Sequence, residues 1–123
     1  MSKRENIFGS FKYAAAGIGD AIKSEPNFRV HIIIGIVAII LASILQFRGV
    51  EWAVLFLTEA FVIAMELINT VLEEIVDIIS PEKKEKARIA KDVSAAFVLM
   101  SAFAAIAVGI VLFLPKIFQF LSV

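Results

Sequence analysis

Three long apolar stretches dominate the pattern of the chain. They cover residues 30–47, 52–79 and 93–114, and each has or exceeds the roughly 18 residues that a helix needs to cross a bilayer. The polar segments between them are short. The pattern therefore predicts an all-α membrane protein with three transmembrane helices in one domain, residues 1–123.

The segment in front of these stretches, residues 5–24, has a different pattern. Its apolar residues recur every three or four positions, as Ile7, Phe11, Ala14, Ile18 and Ile22. Charged residues lie off this stripe, which is typical of an amphipathic helix in the membrane interface. Pro26 then disfavours helical geometry at the preceding residue and suits the first turn of the next helix.

Composition agrees with a membrane location. Hydrophobic residues make up 60% of the chain and charged residues only 20%, which is more apolar than an ordinary soluble domain. The chain has no cysteine, so disulfides and thiolate metal sites are excluded. We expect no removable signal peptide, because the N-terminus lacks an apolar core followed by a small-residue cleavage site. We also expect no nucleic-acid partner.

The basic residues predict an orientation. Five of the twelve lie within residues 1–29 and five within residues 80–91, whereas only Arg48 and Lys116 lie elsewhere. Three spanning helices put the N-terminus and the second loop on the same side of the membrane. The positive-inside rule assigns that side to the cytoplasm.

Polar residues interrupt the second apolar stretch at helical spacing. They are Glu59, Glu66, Asn69, Thr70, Glu73 and Asp77. Steps of three, four or seven residues place them on one helix face, and ionisable groups inside a membrane are candidates for function. Interhelical hydrogen bonding explains Asn69 and Thr70 equally well. Several carboxylates on one face repel one another, and a divalent cation such as Mg²⁺ with phosphate oxygens resolves that conflict.

The second loop adds positive charge beside this face. Lys83, Lys84 and Lys86 are best interpreted as topology markers that attract anionic headgroups. Lys91 and Asp92 differ, because they precede a run of small residues that lets a ligand approach closely. A cationic loop next to a carboxylate face predicts a site for the phosphates of a nucleotide and their metal ion.

Three motifs together resemble one protein family. EPNFRVH, ELINTVLEEIVD and ARIAKDVSAA look like the prokaryotic diacylglycerol kinase and undecaprenol kinase family of small membrane lipid kinases, and the likeness runs over residues 11–114. No P-loop or protein-kinase signature occurs. The resemblance implies an ATP- and Mg²⁺-dependent lipid kinase of the bacterial inner membrane. It also implies a homotrimer with active sites shared between subunits.

The resemblance further implies roles for individual residues. Glu66 corresponds to the catalytic base with Asn69 beside it, and Glu25 and Glu73 correspond to the magnesium ligands. The expected ATP-binding residues are Tyr13, Glu25, Glu73, Asp77, Glu82, Lys83, Lys84, Lys91 and Asp92. The residues expected to border the lipid substrate are Arg29, His31 and Glu66.

The acceptor lipid is predicted from the pattern around His31. The E-x-N-x-R-x-H arrangement resembles the polyprenol-kinase branch, so undecaprenol or a similar polyprenol is the predicted acceptor and diacylglycerol the alternative. A lone interfacial histidine is more often structural than catalytic. Glu59 is outside the family motif, and it either pairs with another subunit or is protonated. The alternatives of another class are a small oligomeric cation channel or transporter subunit, with the carboxylates along the ion path, and a purely structural membrane subunit.

Overall fold

Residues 6–122 fold into four α-helices. The computed structural model describes residues 6–122, and the secondary structure of these residues is entirely helical apart from turns. The helices are α1 (Ile7–Ser24), α2 (Pro26–Ile44), α3 (Gly49–Ile79) and α4 (Glu85–Leu121). The last three are each long and apolar enough to cross a membrane. The predicted all-α class with three long apolar helices is confirmed, while residue 5 of the predicted surface helix lies outside the described residues.

The first helix, α1, is capped at both ends by side chains. The side chain of Asn6 accepts a hydrogen bond from the backbone N–H of Gly9 at 2.8 Å, which begins the helix. At the other end, the guanidinium of Arg29 donates to the carbonyl oxygens of Ile22 and Lys23 at 3.0 and 3.1 Å. The apolar residues on the exposed part of α1 are thus held in a fixed orientation next to α2.

The junction between α1 and α2 is a single extended residue. Glu25 has φ −108° and ψ 104°, and Pro26 follows it as the first residue of α2, where its missing N–H costs nothing. Two positions later, Phe28 is fully buried. This anchor and the Arg29 cap hold Glu25 in place at the end of the helix bundle.

Most helix ends lie beyond the apolar stretches that predicted them, but α2 ends at Ile44, before the predicted end at residue 47, because the chain turns at Leu45 and Gln46. The structure begins α2 at Pro26 and α3 at Gly49, and α4 covers 37 residues. Polar turns continue α4 because Arg88 pairs with Glu85 and Asp92 at helical spacing. Hydropathy marks the part of a helix that lies in the membrane, whereas local side-chain pairs decide where the helix ends.

Packing within one chain leaves most apolar residues on the outside. The core cluster contains Ala42, Leu45, Phe47 and Leu55, and the ring of Phe113 from α4 packs against it with its centroid 4.8 Å from that of Phe47. Many other large apolar residues are exposed. Contiguous apolar surface of this kind is what lipid or another membrane helix covers.

Candidate active site

The centre of the site is the carboxyl group of Glu66 on α3. Glu66 is only 3% exposed, although its side chain is ionisable. The imidazole of His31 on α2 lies against it, with Nε2 3.1 Å from Oε1. That ring nitrogen is not aligned for a hydrogen bond, and Oε1 has no other hydrogen-bond partner among the described residues. The Glu66–His31 contact therefore gives the buried carboxyl group a polar neighbour but leaves Oε1 without an aligned donor.

One turn further along α3, an amide joins the site to α4. The hydroxyl of Ser94 donates a hydrogen bond to Oδ1 of Asn69, and Nδ2 of Asn69 donates to Oε1 of Glu73 at 3.3 Å. Ser94 is almost completely buried, so this link lies in the interface between α3 and α4. Asn69 thus forms an interhelical hydrogen bond with Ser94 and also binds Glu73, a carboxylate of the site. The sequence allowed both roles, and the structure combines them.

Two carboxylates beside Glu66 have the chemistry of a magnesium site. Glu73 lies about two turns from Glu66 on α3, and α1 packs against both α2 and α3, which brings Glu25 at the α1–α2 junction toward this part of α3. No group of three or more His, Cys, Asp or Glu side chains within residues 6–122 is arranged to hold a metal ion. Mg²⁺ is usually held by one or two carboxylates together with phosphate oxygens. The two carboxylates therefore fit an ion that binds together with a nucleotide.

The predicted nucleotide residues on α3 and α4 form two separate ion-pair systems. Nζ of Lys91 lies 2.5 Å from Oδ1 of Asp77, which joins the polar ends of the two helices. Asp92 instead binds the guanidinium of Arg88 at 2.5 Å, and Arg88 also contacts Glu85. Lys91 and Asp92 are adjacent in sequence but have different partners.

Other residues predicted to bind ATP lie on exposed surfaces. In the loop between α3 and α4, Nζ of Lys84 lies 3.6 Å from Oε2 of Glu82, and both side chains are exposed, as is Lys83. Tyr13 lies on α1 and is 46% exposed. Arg29, which was predicted to border the lipid, is the residue that caps α1.

Comparison with known proteins decides the family. The family model for prokaryotic diacylglycerol kinase matches residues 12–113. The chain belongs to the prokaryotic diacylglycerol kinase family. This confirms the predicted family of lipid kinases, so the interpretation as a channel or transporter subunit loses its support.

Individual relatives in this kinase family carry two names. A diacylglycerol kinase of Synechocystis is 42% identical over 113 residues, which cover 91% of this chain and 65% of the relative. An undecaprenol kinase of Bacillus subtilis is 32% identical over 111 residues, or 90% of each chain. A diacylglycerol kinase of Haemophilus influenzae is 32% identical over 78% of this chain and 81% of its own length. The chain thus spans about two thirds of the length of the Synechocystis relative.

Two contacts of this lipid-kinase family member could not be predicted from the local sequence. Ser94 was noted only as a small residue, and its partner Asn69 is 25 residues away on another helix. The contact between His31 and Glu66 likewise depends on how α2 packs against α3. The ion pairs of Arg88 could have been predicted from the sequence, because Glu85 lies three residues before it and Asp92 four residues after it.

An apolar cavity of about 510 Å³ lies between α2, α3 and α4 and reaches the site at His31. Glu59 also borders this cavity. Its carboxyl group lies opposite Gly35, where a Cβ atom would be 3.5 Å from the carboxyl carbon, and its Oε1 is buried with no hydrogen-bond partner among the described residues. A buried oxygen without a partner destabilises the fold relative to an apolar group of similar size.

We expect Glu59→Leu to stabilise the protein. Leucine removes the unpartnered oxygen and fills the same apolar surroundings, so the free energy of unfolding should rise by about 1–3 kcal/mol. Thermal unfolding in detergent, followed by circular dichroism, measures the change, and Glu59→Gln is the control that keeps a polar group. A lower unfolding temperature for Glu59→Leu would show instead that the carboxyl group has a partner in the assembled protein.

Proposed function

We propose that the chain transfers the γ-phosphate of ATP to the hydroxyl group of diacylglycerol. The observation that carries this proposal is the buried carboxyl group of Glu66 beside His31, with Glu25 and Glu73 close by. Diacylglycerol is placed before the polyprenol that the pattern around His31 predicts, because the diacylglycerol kinase of Synechocystis is more similar to this chain than the undecaprenol kinase of Bacillus subtilis.

Glu66 is proposed as the general base. A carboxylate oxygen of Glu66 accepts the proton of the lipid hydroxyl as the oxygen bonds to the phosphorus atom of the γ-phosphate, and the bond to the leaving ADP oxygen breaks. His31 is proposed to limit the movement of the carboxyl group by packing against it, with Nε2 3.1 Å from Oε1. Proton transfer to a positioned base contributes about 10²–10⁴-fold to the rate.

The remaining chemistry is positioning and charge compensation. Magnesium held by Glu25 and Glu73 would neutralise charge on the phosphates as the bond to the γ-phosphate breaks. Asn69 keeps Glu73 in place through its hydrogen bond. Lys91 is proposed to bind phosphate oxygens, for which it must exchange its partner Asp77 for the nucleotide. Glu82, Lys83, Lys84 and Tyr13 are proposed to contact the nucleotide further from the reacting atoms.

The proposed orientation places this chemistry at the cytoplasmic face of the bacterial inner membrane. The excess of basic residues near the N-terminus and in the loop between α3 and α4 supports it. ATP then reaches Lys91 from the cytoplasm, while the lipid hydroxyl approaches Glu66 at headgroup depth. The resemblance to the family supports a homotrimer with shared active sites, and the exposed apolar surface of one chain is compatible with such packing.

Undecaprenol is a second candidate acceptor. His31 favours it, because the E-x-N-x-R-x-H pattern resembles the polyprenol-kinase branch and the imidazole directly contacts Glu66. The relative named undecaprenol kinase covers 90% of this chain. We expect the choice of lipid to depend on the shape of the space next to Glu66. His31 borders that space and also lines the apolar cavity.

A direct comparison of the two lipids tests the proposal. We would purify the protein in mixed micelles and follow phosphate transfer from labelled ATP to diacylglycerol and to undecaprenol. The expected result is a kcat/KM for diacylglycerol at least about tenfold above that for undecaprenol. The reverse preference would replace diacylglycerol by the second candidate. If neither lipid were labelled, magnesium-dependent ATP binding would separate a wrong acceptor, which retains binding, from a wrong function.

A further inference from the structure

A second pocket, which is lined in part by polar residues, lies at the opposite end of the helix bundle. It has a volume of about 760 Å³ and is formed by the turn between α2 and α3 together with the last turns of α4. Its polar lining residues are Gln46, Arg48, Lys116 and Gln119. Fifteen residues of α3 separate Glu51, at this end, from Glu66, which corresponds to about 22 Å along the helix. The pocket is therefore separate from the proposed kinase site.

We propose that this pocket binds the phosphate group of an anionic phospholipid. All four polar lining residues carry N–H donors, and two of them are cations. Phosphate oxygens accept several such hydrogen bonds at once, and arginine is especially suited to them because its donors form a planar fork. Basic pockets between membrane helices bind lipid headgroups on the cytoplasmic side of membranes, and this pocket offers the same donor chemistry at the opposite end of the bundle.

Glu51, which contacts two of the lining residues, is already engaged. Oε2 of Glu51 lies 3.1 Å from Nζ of Lys116 and accepts a hydrogen bond from the backbone N–H of Arg48 at 2.8 Å. The side chain of Lys116 is only 20% exposed, so this ion pair holds it at the pocket. Two cations face one carboxylate, which leaves positive charge for an incoming anion.

The backbone of Gln46 supports a binding role for its side chain. Gln46 has φ 56°, in the left-handed region where glycine is favoured. It occupies the position just past α2 in a Schellman motif, with the N–H of Phe47 bonded to Ala42 at 3.0 Å and its own N–H bonded to Ser43 at 3.2 Å. Strained residues that persist in such positions cluster at functional sites. In this proposal the side-chain amide of Gln46 donates a hydrogen bond to the phosphate group.

The apolar rim indicates a lipid rather than free phosphate as the source of this group. Ile44 and Phe120 line the same pocket, and they are 56% and 60% exposed. They are placed to contact the glycerol and the first methylene groups of a lipid whose phosphate reaches Arg48 and Lys116. Inorganic phosphate would use the polar half of the pocket alone.

Lipid binding by variants tests this inference. We would measure binding of phosphatidylglycerol to the full chain by native mass spectrometry from non-ionic detergent, with phosphatidylcholine and inorganic phosphate as separate arms. Arg48→Gln should weaken phosphatidylglycerol binding about tenfold, as expected for losing a charge-assisted hydrogen bond. Lys12→Gln removes an exposed charge from α1, at the other end of the bundle, and should have no effect. Equal binding by the two variants would overturn the proposal.

Gln46→Gly separates binding from folding. Glycine relieves the left-handed backbone conformation, so this variant should unfold at a higher temperature without lipid, yet bind phosphatidylglycerol several-fold more weakly. Wild-type affinity in this variant would overturn the role of the amide.

Competition by millimolar inorganic phosphate supports phosphate recognition with free phosphate as a source, and binding of phosphatidylglycerol alone supports a lipid source. Equal affinity for phosphatidylglycerol and phosphatidylcholine would show that negative charge is not recognised and would contradict the proposal.

Discussion

Glu66→Gln is expected to lower kcat for phosphate transfer to lipid by about 10²–10⁴-fold while ATP binding is retained. Glutamine has nearly the same shape as glutamate and can stay in contact with His31, but its amide cannot accept the proton of the lipid hydroxyl. Initial rates with labelled ATP and direct titration of magnesium ATP measure the two quantities. The protein should remain folded, because the substitution removes a buried charge without changing volume.

Glu74 provides a matched control for this variant. Glu74 lies on the same helix, is exposed and falls outside the polar face of α3, so Glu74→Gln should keep most of the activity. A Glu66→Gln variant with more than about a tenth of the wild-type rate would contradict the general-base assignment, because the loss would fall below the range for such catalysis. Loss of ATP binding would assign Glu66 to the nucleotide site instead.

The sequence predicted the helices well for a physical reason. A span must be apolar over the thickness of the bilayer and must satisfy its own backbone hydrogen bonds, so the three apolar stretches predicted three long helices. The helix ends depend on local contacts that hydropathy does not report. The ion pairs of Arg88 extend α4 toward its N-terminus, and the left-handed Gln46 ends the turn that follows α2.

The candidate site was predictable only along one helix. The 3.6-residue period of α3 placed Glu66, Asn69 and Glu73 on one face, and in the structure they lie together. The partners of that face come from other helices, and His31 and Ser94 reach it through packing between helices that are far apart in sequence. The pocket at the opposite end carries no periodic signal at all, because a turn and two helix ends form it.

Glu73→Gln should have the second-largest effect, through magnesium. Glutamine at this position still accepts the hydrogen bond from Asn69, so Asn69 keeps the orientation in which it accepts from Ser94 on α4, while the negative charge is lost. Of the two proposed magnesium ligands, only Glu25 then remains charged. We expect the Mg²⁺ concentration for half-maximal activity to rise at least about tenfold, in line with the sensitivity of metal affinity to changes around a ligand set.

The magnesium dependence separates this variant from Glu66→Gln. Initial rates measured over a series of Mg²⁺ concentrations at constant ATP should show partial recovery of Glu73→Gln at high Mg²⁺, since excess metal compensates for weaker binding by mass action. Glu66→Gln should show no recovery, because metal does not replace a proton acceptor. An unchanged Mg²⁺ dependence with a lower kcat in Glu73→Gln would mean that Glu73 acts on the substrate rather than on the metal. The adjacent Glu74→Gln is again the control, because it removes the same charge one residue away from the polar face.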